Sequence, residues 1–530
     1  MTTKKAPAGT VAVLGNGPVG QTTALLLARW GIRVILLDAR AERDPVGSKA
    51  ICQQRDVLDV WDAIGVGSQL AEEGVTWECA RTFHRGEELF AQTFVDRGRS
   101  AFPPFVNISQ ARTEELLDER IASNPLIDVR WGHCVTAVEQ NDDGVTIGCE
   151  NPGGPVVVRA DYSVVALGSR AGRIREQLGI RFEGRSFDDK FLICDIRADI
   201  PGWANERRFY FDPEWNPGRQ VLIHPCPDST FRIDWQVPGE YDLDEEVASG
   251  ALDTRIRRII GDTEYSIVWK SVYRFHSRVA SRMRVGRVLL AGDAAHIVSP
   301  FGARGLNSGV ADAENAAWKL AFVIKGWADE ELLESYHSER HAAALENIAI
   351  TTATMDFLVP QNESQSRRRL TILEAAVNDA QARAQVDSGR LAEPFWYVDS
   401  TLTTLDPARP FPGRPARGFV PDAGPGILIP DVPIPLADCS AVRLREVARS
   451  GVLLLCGPDV DVASVRRIAA EATAAPTQVH DIGGALATTL SSGSTDVWLI
   501  RPDAYVSAVI DGADAAGLRS AIRRVTGRGA

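Results

Sequence analysis

Paired cysteines are missing from this sequence. Eight cysteines are spread over 530 residues, and none forms Cys-x-x-Cys or stands beside a histidine at metal-ligand spacing. That argues against a dithiol redox centre and against a zinc site. Most lie in apolar runs, as Cys194 does after Phe191-Leu-Ile and Cys456 after Leu453-Leu-Leu. They read as buried free thiols in a reducing cytoplasm. Long apolar runs are missing too. No stretch approaches 18 uninterrupted apolar residues, so no transmembrane helix is expected. The first residues carry Lys4 and Lys5 but no apolar core of a signal peptide. Positive charge is not in excess: the net charge is −12 and the pI about 5.3. Neither nucleic acid nor an anionic membrane is an expected partner. His337 and His341 stand at i, i+4, but on a Glu- and Arg-rich helix with no third ligand. They read as a solvated face, and no metal is expected.

What is present is a run of glycines in two places. Thr10–Leu14 is a short apolar strand that leads into Gly15-Asn-Gly17-Pro18-Val19-Gly20, and a helix pattern follows to about Trp30. A second strand, Arg33–Leu37, delivers Asp38, with Ala39 and Arg40 after it. The glycines permit a tight turn and close approach to a pyrophosphate, the helix N-terminus favours the anion, and the acid suits a ribose hydroxyl pair. Nearly 280 residues later, Val288–Ala291 reads as a buried strand ending in Gly292-Asp293. A loop broken by Pro300, Gly302 and Gly305 leads through Leu306 and Asn307 into a helix expected from about Leu306 to Lys325. Asp293 can accept from polyol hydroxyls, and the loop amides suit an electron-rich carbonyl edge. One flavin dinucleotide would use both places.

At this length two or three domains are expected, and 45% hydrophobic with 24% charged residues is ordinary for a globular chain. The fold class expected is α/β. A Rossmann-like FAD-binding domain occupies 1–181 and resumes at 281–400, with 78–104 contributing to a substrate pocket. A mostly antiparallel substrate-binding sheet, marked by alternating strands and Pro/Gly turns, fills 182–280. After a Pro-rich boundary, 415–530 reads as a small domain of thioredoxin-like order without its cysteines.

These motifs resemble the single-component FAD-dependent aromatic hydroxylases of the para-hydroxybenzoate hydroxylase type, in the phenol hydroxylase and polyketide hydroxylase branch with a thioredoxin-like tail. The resemblance covers essentially the whole chain. It implies FAD held by Gly15, Gly17, Pro18, Val19, Gly20, Asp38, Ala39, Arg40, Lys49, Gln110, Gly292, Asp293, Pro300, Gly305, Leu306 and Asn307. Lys49 stands where the family has an Arg. It implies NADPH or NADH as reductant, O₂ as co-substrate, and hydroxylation of a phenolic or polycyclic aromatic through a flavin 4a-hydroperoxide. Pro300 and Gly302 would place the flavin edge. His224 is a candidate catalytic group, and Tyr210, His224, Arg232 and Trp235 are candidate substrate contacts from the inserted sheet. On Gln220–Pro225, alternation puts Gln220, Leu222 and His224 on one face; on Phe231–Val237 it puts Arg232, Asp234 and Gln236 on one face. His296 reads as structural. A homodimer stays open. One motif departs: Gly168 occupies the place of an Asp in the family's shared FAD and NAD(P)H motif, while Arg175 fits its terminal Arg. Baeyer–Villiger oxygenation, or a flavin protein with little oxygenase activity, are the alternatives on this scaffold.

Overall fold

The computed structural model describes residues 9–44, 50–93, 100–415, 419–434 and 443–528. Thr10–Leu14 is buried along its whole length because parallel strands bury both faces. It pairs in parallel with Arg33–Leu37 on one side and Tyr162–Val165 on the other. Val288–Leu290 extends this sheet, which holds six strands among the described residues. The helices Pro18–Arg29 and Arg304–Ile324 pack against each other over it. The second helix thus begins two residues before its expected start, directly after the glycine loop.

Phe182–Ala198 and Tyr265–Ala280 form long antiparallel neighbours in an eight-stranded sheet. Thr230–Val237, Gln220–Cys226 and Glu206–Phe211 follow, and Cys79–His84 and Glu87–Thr93 complete the edge. Residues 79–93 therefore do join the inserted sheet. Its two faces bury different things. Val221, Ile223, Ile233 and Trp235 pack under the helix Ala251–Ile260, through Leu252, Ile256 and Ile260. Phe191, Phe209, Phe211 and Leu222 face the other way, toward Phe301 and the helix Glu334–Leu358.

The tail forms a four-stranded sheet, ordered Thr477–Asp481, Val452–Cys456, Asp496–Ile500, Val506–Asp511. The helices Val462–Ala472 and Ala515–Val525 pack on it. Cys456 is fully buried, and burial pushes its thiol up to about 12, so it supplies no thiolate. Cys439 lies outside the described residues; the other seven cysteines are free. Buried charges join this tail to the nucleotide-binding body. Arg501 donates to both oxygens of Glu339 at 2.6 and 2.9 Å, and Lys319 donates to Glu339 at 2.6 Å. Arg445 and Arg449 reach Asp56, Asp59 and Glu314 in the same way. No single helix among the described residues is long and apolar enough to cross a membrane.

Candidate active site

The first glycine turn separates packing from ligand space. Gly15 has φ +109°, and a Cβ there would lie 2.4 Å from the Ala166 carbonyl oxygen. A Cβ on Gly20 would lie 1.8 Å from the Gly15 oxygen. A Cβ on Gly17 would meet nothing within 4 Å. Gly15 and Gly20 close the turn, and Gly17 leaves an open cradle above it. Pro18 opens the helix, and no side chain caps its N-terminus. Its first amides are therefore available to a phosphate. Val19 carries the first of these amides, since Pro18 has none, and its side chain has a packing role besides. It wedges against the second motif, since a Cβ on Gly292 would come within 3.0 Å of it and one on Gly309 within 2.6 Å. Packing around Val19 brings together two motifs that are far apart in sequence.

Asp38 is buried and already engaged. It accepts from the Asn16 amide at 2.9 Å, the Arg40 amide at 2.9 Å and the Arg40 guanidinium at 3.0 Å. Burial pushes its carboxyl up, but these donors outweigh that and hold it below the usual range. It shapes the turn and fixes Arg40, while Ala39 is exposed beside it. Gln110 begins the helix Gln110–Ala122 and accepts from the Ala50 amide at 3.2 Å. Lys49 lies outside the described residues.

The second motif is braced from behind. Asp293 is exposed at the lip of a short turn. The Gly292 amide donates to Asp312 at 2.9 Å; His296 Nε2 lies 2.7 Å from the same oxygen, and Arg340 donates to the other at 2.7 Å. His296 is thus consumed in structure. Burial would raise the Asp312 carboxyl, but His296 and Arg340 hold it low. No local motif marks Asp312 or Arg340. Asp312→Asn should cost about 1–3 kcal/mol of stability and weaken FAD retention, because one buried acceptor becomes a donor facing donors. Equal melting temperature and flavin content in mutant and parent would refute this.

The loop after Pro300 is held by the segment behind it. Gly302 has φ +94°, and a Cβ would lie 2.1 Å from the Arg390 oxygen. Ala392 donates to the Gly302 oxygen at 2.7 Å, and Arg304 donates to Arg390 and Leu391 carbonyls. Pro300 is exposed, and Gly305 and Leu306 are half-buried. Among the described residues, only Val298, at 4.0 Å, would meet a Cβ on Gly305, so this side of the loop is open to them. Asn307 spends its side chain on protein. It accepts from the Gln54 amide and donates to the Cys52 oxygen, each at 3.0 Å, and only its backbone is left for a ligand. Gly168 has φ +63°, and among the described residues nothing comes within 4 Å of where its Cβ would stand, a carboxylate included. Arg175 keeps its place, donating to the Ala294 oxygen at 3.0 Å and lying over the Phe182 ring.

Two of the expected substrate contacts lie on the wrong face of the inserted sheet. Trp235 is fully buried in the core under the Ala251–Ile260 helix. Tyr210 is half-buried, packs on that same core, and stacks on Phe83 at 4.7 Å. His224 and Arg232 do lie on the face that carries Phe191, Phe209 and Phe301, paired across the two strands. Arg232 is buried and bound to both oxygens of Asp195, at 2.7 and 2.8 Å. Cys52, Trp77 and Phe105 pack together near Ala303 of the loop. Asn107 donates to the Pro225 oxygen at 2.8 Å, which brings the His224 end of its strand to the nucleotide-binding body.

A family model described as FAD binding domain matches residues 9–351, and one described as aromatic-ring hydroxylase, C-terminal matches residues 422–529. The chain belongs to the FAD-dependent aromatic-ring hydroxylase family. It is a flavin-dependent oxidoreductase, and its cofactor is FAD; the enzymes of this family use NAD(P)H as reductant. Its residues fit that cofactor: an open phosphate cradle at Gly17 and an open loop side at Gly305. Three curated relatives span much of it. A dialkyldecalin synthase of Streptomyces rugosporus is 32% identical over 88% of this chain and 91% of its own. A para-nitrophenol 4-monooxygenase of Pseudomonas sp. (strain WBC-3) is 29% identical over 68% and 89%. A 3-(3-hydroxy-phenyl)propionate/3-hydroxycinnamic acid hydroxylase of Mycobacterium sp. (strain KMS) is 28% identical over 84% and 74%. Among solved structures, the flavin-dependent monooxygenase PieE with FAD and substrate has the same fold, with TM-score 0.84, 23% identity, and coverage of 99% of this chain and 100% of the other. Aklavinone-11 hydroxylase with FAD and aklavinone gives 0.79 at 24% identity, over 99% and 100%.

Proposed function

We propose that this flavoenzyme hydroxylates a phenolic or polycyclic aromatic compound, using NAD(P)H and O₂. The observation that carries the reading is the face of the inserted sheet turned to the flavin loop. It combines an aromatic wall with a few buried polar groups. Phe301 lies 5.3 Å from Phe191 and 5.9 Å from Phe275, ring centre to ring centre, so the loop and the sheet share one apolar cluster. This closed packing fixes the loop against the sheet and keeps water from the polar groups beside it, where a flat ring would lie. Bound FAD supplies the redox chemistry. The amides at the start of the Arg304–Ile324 helix would face its carbonyl edge and favour negative charge there. Tyr210 and Trp235 have no part in this reading, because they face the opposite core. The test supplies ¹⁸O₂ and NAD(P)H with a panel of phenols and polycyclic aromatics. Label in a new ring hydroxyl supports the reading; hydrogen peroxide alone across the panel counts against it.

A second reading is favoured by Gly168 and by the decalin-forming relative. A decalin is two fused carbocycles, and closing it from a linear polyene moves no electrons to or from the substrate. An enzyme working so would need no hydride donor, which suits the missing carboxylate. Conversion of a polyene by FAD-loaded protein, without NAD(P)H consumption or ¹⁸O uptake, would establish it. Failure across linear polyenes, with labelled phenol products, would remove it.

A further inference from the structure

Among the described residues, the face of the inserted sheet turned to the flavin loop holds a polar pair, one atom of each member of which has no hydrogen-bond partner. His224 and Asp234 stand on adjacent central strands, Gln220–Cys226 and Thr230–Val237. His224 Nδ1 and Asp234 Oδ1 are buried without a hydrogen-bond partner. Nε2 and Oδ2 face each other across 3.9 Å, too far for a direct bond. Their side chains keep 12% and 19% of their surface accessible at the middle of an eight-stranded sheet. Buried polar groups are normally satisfied, so such a pair marks space for a polar ligand atom. The surrounding charges are Arg232 on the same strand, Asp195 on Phe182–Ala198, and Arg207 on Glu206–Phe211. Among the described residues Cys52, Cys194 and Cys226 are further titratable neighbours, and burial pushes all three thiols up to about 12, so they stay uncharged.

We infer that Asp234 and His224 bind the ring hydroxyl of the aromatic substrate, Asp234 taking its proton and His224 hydrogen-bonding the oxygen left behind. The O–H bond of the substrate breaks, a carboxyl O–H bond forms on Asp234, and the electron pair stays on the ring oxygen. This makes the ring electron-rich at its ortho and para carbons. The inference rests on the hydroxylase reading. Burial raises the Asp234 carboxyl to about 7, against the pull of Arg232, which suits a proton acceptor near neutral pH. Burial, with Arg207 and Arg232, holds His224 neutral, well below the usual imidazole range. A neutral imidazole can donate one hydrogen bond without competing for the proton. The two guanidinium groups favour the ring oxyanion. The proton-accepting form of Asp234 is populated as pH rises through about 7, so turnover with a phenol should rise through the same range.

The probe is 3-nitrophenol, a weaker acid than the Asp234 carboxyl, whose neutral and anionic forms differ in colour. It is titrated into FAD-loaded protein at a pH above the Asp234 range and below that at which the free dye ionises. Bound dye should be anionic. Asp234→Asn keeps the shape, removes a buried charge and should fold; it should bind the dye in its neutral form and lose the rise of turnover with pH, with a drop of roughly 10²–10⁴-fold. His224→Gln should still bind the anion, about tenfold more weakly. Dye bound neutral by the parent, dye bound anionic by Asp234→Asn, or no saturable binding would overturn the inference. ¹⁸O-labelled product from Asp234→Asn at the parental rate would sink the pair and leave the hydroxylase reading standing. No labelled product from the parent with any phenol would sink that reading whatever the dye does.

Discussion

Gly17→Ala should fold as well as the parent and lose most of its FAD. Among the described residues the new Cβ meets nothing within 4 Å, so the apoprotein has little to rearrange. The space it enters lies in the phosphate cradle, at the uncapped start of the Pro18–Arg29 helix. Excluding a phosphate from that helix end, even partly, should weaken FAD by about a hundredfold, roughly 3 kcal/mol. Gly20→Ala gives the contrast. Its Cβ would press within 1.8 Å of the Gly15 oxygen, so the apoprotein itself should lose stability by about 1–3 kcal/mol or more. Flavin absorbance after gel filtration, with melting temperature measured on the apoproteins, separates the two. A Gly17→Ala protein that holds FAD as tightly as the parent would falsify the placement of the cradle.

Arg501→Met should destabilise the chain by about 3–5 kcal/mol, because it leaves buried carboxylates without their cation. Arg501 is fully buried between Glu339 and Asp503; without it Glu339 would keep Lys319 as its one cation among the described residues, with Asn315 and Ser400 still donating to it, and Asp503 would keep no cation. Burial pushes the Glu339 carboxyl up, yet Arg501 and Lys319 hold it far below the usual carboxylate range. A depressed folded value means stability that is present above the unfolded value, near 4.3, and lost as pH falls below it. Removing Arg501 weakens that hold, so the parent should lose stability to acid over a wider span than the mutant, whose loss is already present at neutral pH. Urea unfolding from pH 7 down to pH 2 checks both statements. A loss under 1 kcal/mol at pH 7 would mean the network contributes little.

Much of this architecture was legible because it depends on local backbone. Gly15, Gly17 and Gly20 mark a turn that only glycine makes well, and the strand–turn–helix–strand order around them needs no distant partner. The tail's strands were readable for the same reason: Val452–Cys456 and Val506–Asp511 are short apolar runs between turns. The helix Gly484–Leu490 and the two helices between 243 and 260 went unread, since short helices carry few periods of pattern. The substrate face shows where sequence reasoning stops. Alternation gives parity but not which parity meets the flavin loop. Arg232 and Trp235 are three residues apart on one strand, so no single face can hold both. Asp234, on the parity of Arg232, is the better companion for His224. Asp38, assigned to ligand by position, is held by its near neighbour Arg40 and by the Asn16 amide, and the Asn307 side chain, assigned in the same way, is claimed by long-range hydrogen bonds. Those bonds, like Arg340 with Asp312 and Arg501 with Glu339, join residues far apart and leave no mark in a local window.

The backbone clamp between Gly302 and residues 390–392 also bears on how this chain can be divided. The flavin loop rests on the stretch that leads into the Pro-rich joint and on to the tail. An engineer who wants the oxidising body without its tail cannot cut where the sequence looks most like a linker and stop thinking there. A cut before residue 390 would strip the loop's backing and leave Arg304 with empty carbonyl partners. A cut beyond 415 would spare the clamp but expose Lys319 and Glu339 where Arg501 had covered them. The joint behaves less as a hinge between modules than as a keel laid under the cofactor, so swapping tails between relatives would carry the 386–400 segment along with the body.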